Sequence, residues 1–178
     1  MRRARLLCAA IGVTLAGALT ALAQGAQQEI GIAAQVMPSC TINGAPTQSA
    51  LDTVINVDAV GMIDTTPQTF TVPTVTCNVT ANVVATSQRG GAKGSNKSGP
   101  DFTNIINYRG TATFGTATST INTGTQKGAD GPEAGNIAST GGPTKGNLTI
   151  TVRPNPTTTP IIHGTDFHDT LRITLTPD

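Results

Sequence analysis

Beyond the first two dozen residues, apolar and polar positions alternate with a period of two. From Ile30 to Ile42 the even positions read Ile30, Ile32, Ala34, Val36, Pro38, Cys40 and Ile42, while the odd ones are mostly small or polar. This is the pattern of an extended strand with one buried face, long enough to serve two strand positions and interrupted at Pro38. The same alternation predicts strands over Leu51–Val57, Phe70–Ala85, Ile105–Phe114, Leu148–Val152 and Leu171–Leu175. Within Phe70–Ala85 the apolar phase changes from Phe70 and Val72 to Val75, Cys77 and Val79, and Pro73 stands at the change, where a bulge or an edge position tolerates proline. Arg89–Pro100 and Gly124–Gly146 are dense in Gly, Lys, Ser, Asn and Pro and read as mobile loops at hairpin ends. Short strands punctuated by Gly/Pro turns predict an all-β, two-layer antiparallel sandwich.

Composition supports that class. Thr is the outlier at 32 of 178 residues, beside 20 Gly and 11 Pro, whereas charged residues make up 12% and aromatics 3%. Such a chain is a poor helix former and a good filler of pleated surfaces. A formal charge of +1 offers no attraction for a nucleic-acid backbone.

Arg2, Arg3 and Arg5 precede an apolar run from Leu6 to Leu19 and the exit Ala21-Leu22-Ala23. Together these read as a secretory signal peptide over residues 1–23, cleaved between Ala23 and Gln24. A membrane anchor is the alternative, but the run is short for a bilayer core of ~30 Å. Cleavage leaves eight basic against ten acidic side chains, a net charge of −2, in an exported, soluble chain. Cys8 departs with the signal. Cys40 and Cys77 remain as an even pair in an oxidising compartment, and a bridge between them stabilises by ~4 kcal/mol on chain-entropy reasoning.

Chemical motifs are sparse. His163, Asp166, His168 and Asp169 lie within seven residues, which raises a metal reading. Their spacing fits neither a helical pair nor one strand face, and a polar turn leading into the last strand is the plainer reading. The Gly-rich runs lack a phosphate-loop ending, and no nucleophile-elbow sequence accompanies the hydroxyls. No catalytic, cofactor-binding or metal residue is assigned, and the chain does not read as an enzyme.

Several segments together resemble the spore coat protein U domain family, which includes the major subunits of Csu-type (archaic) chaperone–usher pili. They are Met37–Ile42 (MPSCTI), Thr74–Val79 (TVTCNV), Ile106-Asn107-Tyr108 and Gly164–Pro177 (GTDFHDTLRITLTP). The resemblance spans Ile30 to Pro177. It implies an Ig-like sandwich lacking its last strand over residues 37–178, preceded by a donor-strand extension over 24–36. The sequence ends just after Leu171–Leu175, as that reading expects. On it, Leu171, Ile173 and Leu175 line a groove, and Ile30, Ile32, Ala34 and Val36 of a neighbouring subunit fill it. The implied partners are other pilin subunits, a periplasmic chaperone and an outer-membrane usher. The implied location is the cell surface, reached through the periplasm, with a role in adhesion and biofilm formation. Alternation alone does not separate a donated strand from an ordinary first strand. A secreted monomeric binding or coat protein is therefore the alternative, and a hydrolase or metalloprotein built on His163, Asp166 and His168 is a third.

Overall fold

The computed structural model describes residues 33–45, 54–96, 99–124, 131–163 and 166–178. The chain divides into Met1–Gln35 and Val36–Asp178. Of the first unit only 33–35 are described, exposed and without regular structure. The signal segment with its Ala23–Gln24 cleavage site, Ile30, Ile32 and Leu51 lie outside the described residues.

The second unit is all-β. Its strands are β1 (Cys40–Ile42), β2 (Gln68–Cys77), β3 (Ala81–Ser87), β4 (Ala92–Lys93), β5 (Ile105–Ile106), β6 (Tyr108–Phe114), β7 (Ala117–Asn122), β8 (Glu133–Ala134), β9 (Ala138–Ser139), β10 (Thr144–Pro154) and β11 (Leu171–Pro177). A first sheet has the order β1-β2-β10-β6-β7. A second has the order β11-β3-β8, with β9 also paired to β3, and β4 pairs with β5. Every strand ladder is antiparallel.

The two larger sheets share one core, giving a sandwich-like arrangement. Val72, Val75, Phe114, Ile121 and Leu148 from the first sheet pack with Ala81, Val83 and Ala85 from the second. With so few aromatics, small Ala side chains on β3, β6 and β7 let the layers approach, and Phe114 is the largest fully buried side chain among the described residues. The outward face of the first sheet carries the threonines, which pair across strands. Thr69–Thr151, Thr111–Thr120 and Thr113–Thr118 hydroxyls lie 3.1, 3.5 and 3.3 Å apart. The high Thr content therefore serves β-propensity on a wet surface.

The change of phase at Pro73 is a bulge. Val72 faces Leu148 and Val75 faces Gly146, so Pro73 and Thr74 together oppose Asn147, and Thr74 has φ 58°. Four expectations need correction. Of the described part of the long first strand only Cys40–Ile42 is strand, and residues 33–39 are exposed and irregular. Pro38 lacks an N–H, and opposite Met37–Ser39 the chain has passed the end of β2. Asn78 takes over there, its Nδ2 donating to Met37 O (2.8 Å) and its Oδ1 accepting from Ser39 N (2.8 Å). Residues 54–57 form no strand; Val57 makes a single bridge to Ile63 around a turn that Asp58 holds through Val60 and Met62 N–H. Arg89–Pro100 begins as packed structure, with Gly90, Gly91 and Ala92 buried and β4 formed. Gly124–Gly146 contains β8, β9 and the start of β10, held to the second sheet by the buried Thr140. Strand β7 was not anticipated, because its inward positions are Ala117, Ser119 and Ile121, only one of them large and apolar.

Candidate interface groove

A groove of about 1670 Å³ opens between the sheets along one side of the body. Its floor is the inner face of the first sheet at Phe70, Val72, Leu148, Ile150 and Val152, and its wall is β11 with Leu171, Ile173 and Leu175. The β11 side chains alternate with Arg172, Thr174 and Thr176, so the period-two pattern that made the strand also aims three aliphatics inward. Val83 and Val75 in the core are fully buried, whereas Phe70, Ile150, Val152, Leu171, Ile173 and Leu175 are only half-buried. The volume exceeds the roughly 300–1,000 Å³ typical of small-molecule pockets.

The backbone of β11 is open on the same side. Thr170 O accepts from Gln88 N (3.0 Å) and Asp178 N donates to Thr80 O (2.9 Å), so even-numbered β11 residues bond to β3. Bonded pairs alternate along an antiparallel ladder. The N–H and C=O groups of Leu171, Ile173 and Leu175 therefore face away from β3, where no strand stands among the described residues. The structure thus places all three predicted wall residues in the groove, each with its backbone facing the free edge. Of the predicted donor residues, Ala34 and Val36 are described, and both are exposed.

Cys40 and Cys77 form a disulfide, as expected, with Cα atoms 4.1 Å apart. It joins β1 to the end of β2, and Cys40 and Ile42 line one end of the groove.

Toward the other end lies a polar knot that sequence inspection missed. Asp169 Oδ2 accepts from Tyr108 OH (2.7 Å), from Ser87 Oγ and from Gly91 N (3.2 Å), while Oδ1 accepts from Arg89 N (3.0 Å). Burial, and then the bond to the Asp169 carboxylate, push the Tyr108 phenol above its ordinary pKa of 10.0. Arg89 Nη1 donates to Lys93 O, His168 O and His168 Nε2, the last at 2.9 Å. Ser87 comes from β3, Arg89 and Gly91 from the segment that follows it, Lys93 from β4, Tyr108 from β6, and His168 and Asp169 from the segment before β11, so the knot ties the start of β11 to both sheets. The only sequence signal was one Tyr in a chain without Trp, at an inward position of its strand. His163, Asp166 and His168 all border the groove, but the His168 imidazole is engaged with Arg89. Among the described residues no three His, Cys, Asp or Glu side chains gather as a metal site.

Comparison of the chain with protein-family models, with curated proteins and with solved structures finds no match.

Proposed function

We propose that the protein is an exported structural subunit whose body is an incomplete Ig-like sandwich, completed by an extended segment from another copy. The observation that carries this reading is the coincidence, along β11, of a backbone edge without a neighbouring strand among the described residues with a row of half-buried aliphatics over an apolar groove. A strand satisfies both needs at once: its backbone bonds to the edge, and its alternate side chains fill the groove. A small apolar ligand would leave the amides of Leu171, Ile173 and Leu175 unpaired. The donor is Gln27–Val36, and its seven residues Ile30–Val36 match the seven of β11 in length. Burial of Ile30, Ile32, Val36 and Ala34 contributes roughly 5–9 kcal/mol before ordering costs. Each backbone hydrogen bond adds ~1 kcal/mol. Copies joined head to tail do not close on themselves and form a fibre. In this scheme a periplasmic chaperone fills the groove first, an outer-membrane usher directs the exchange, and the fibre serves surface attachment.

Deleting Gln24–Ala34 is expected to abolish polymers while leaving a folded chaperone-bound body. Fibres of normal length from that variant, seen by electron microscopy, would overturn the proposal.

A further inference from the structure

The groove continues past the end of β11. Four large apolar side chains, Val54, Val57, Val60 and Phe102, border its mouth and are 74%, 39%, 70% and 48% exposed. They belong to the Leu171 end. Leu171 stands over Gly110, where an added Cβ would meet Leu171 Cδ2 at 2.9 Å. Gly110 pairs with Val152, Val152 with Gln68, and Gln68 Nε2 donates to Val54 O (2.7 Å). The display is supported from below: a second small core of Ile63, Ala92 and Ile106 packs with Ile55, Ile161 and Phe167, and Asp58 holds the Val60 turn.

At the opposite end of the groove, β1 lies across Val75–Cys77 of β2. Just before it, Val36 and Met37 are 75% and 78% exposed, and the Asn78 amide grips Met37 O and Ser39 N. Each body thus carries an apolar knob at one end of the groove and an apolar seat at the other.

Direction decides how these meet. A strand donated antiparallel to β11, the sense of every ladder in the body, brings its carboxy-terminal end to Leu171. A parallel donor would bring the neighbour's body to the end where β1 already lies. We infer that Val54, Val57, Val60 and Phe102 are the seat for the arm root of the next copy, centred on its Met37. The inference rests on the donor-strand reading and adds a second, apolar contact at the subunit junction.

Two peptides with amidated carboxyl ends, Gln27–Val36 and Gln27–Pro38, titrated into the exported chain (residues 24–178), test it. The longer peptide is expected to bind about tenfold more tightly, the scale of partly burying one Met side chain. Met37→Ser in the longer peptide, or Phe102→Ala in the chain, should remove that gain and leave the shorter peptide's affinity unchanged. The peptide variant carries the test even if the chain variant misfolds. Equal affinities for the two unmodified peptides would overturn the seat while leaving strand donation intact. Failure of both peptides to bind would remove strand donation and the seat with it.

Discussion

The second sheet ends differently on its two sides. Beyond β3, on the side of β8 and β9, each outward backbone group finds a partner in the same body. Ala81 N donates to Thr140 Oγ1 (3.0 Å) and Ala81 O accepts from Thr140 N; Ala85 N donates to Ser119 Oγ (3.0 Å) and Ala85 O accepts from Gly135 N. The Ser119 hydroxyl in turn donates to Asn136 O (2.6 Å), and the Asn136 amide accepts from Thr120 N and donates to Thr118 O along the edge of β7. Beyond β11 the equivalent groups have no strand beside them among the described residues. Short fragments and buried hydroxyls are thus enough to seal an edge in this chain, and among the described residues they seal the β3 side and not the β11 side. A long exposed edge invites pairing with another chain. Here that edge runs along a groove, so a strand added to it would meet a side-chain register as well as a backbone one.

Substitutions on the two sides test how far they differ. The largest effect is expected at the disulfide, which joins β1 to β2 at one end of the groove beside the open edge. Replacing Cys40 and Cys77 together by Ser should lower unfolding free energy by ~4 kcal/mol, read from urea midpoints, because the bridged residues are 37 apart. A loss under about 1 kcal/mol would mean that β1 is held without the bridge.

On the sealed side Gly135→Ala comes next. A Cβ there would stand 2.4 Å from Thr120 O, a backbone atom with no rotamer to yield. The expected cost is about 3 kcal/mol. An unchanged melting temperature would show that the sealed side is looser than its hydrogen bonds indicate.

Tyr108→Phe loosens the knot at the start of β11 and should cost about 1–2 kcal/mol at neutral pH. Because the folded phenol titrates above 10.0, its contribution is full below pH 10 and is lost as pH rises further, where only the unfolded chain ionises. The variant should therefore lose less stability than the parent above pH 10. Tyr108 is the chain's single Tyr and there is no Trp, so ultraviolet absorbance reads this phenol alone. A midpoint near 10 in the folded protein would contradict the buried knot.

The smallest effect is expected from Asn136→Ala, about 1 kcal/mol, or a few degrees in melting temperature, since its bonds are exposed. If that variant also polymerises through β7, side-chain capping is what keeps this edge closed.

What the sequence determined by itself was whatever a period of two encodes. Leu171–Leu175, Ile105–Phe114 and Leu148–Val152 announce strands and their inward faces through local alternation, and the displaced phase at Pro73 marks a bulge or an edge position, of which the structure has the bulge. Leaving out Cys8 with the expected signal segment, the parity of the remaining cysteines was enough to pair Cys40 with Cys77. Tertiary structure decided what depends on partners distant in sequence. Strand β7 exists because Ser119 finds Ala85 and Asn136, and its own pattern carries little signal. The Gly-rich stretch after Gly124 became an edge seal because Gly135 lets two backbones touch. Asp169 became a knot because β3, β6 and the turn before β11 converge on it. Alternation states which face of a strand is apolar. Which edge of a sheet is left without a neighbour is a property of the assembled layers, and it appears only once all the strands are in place.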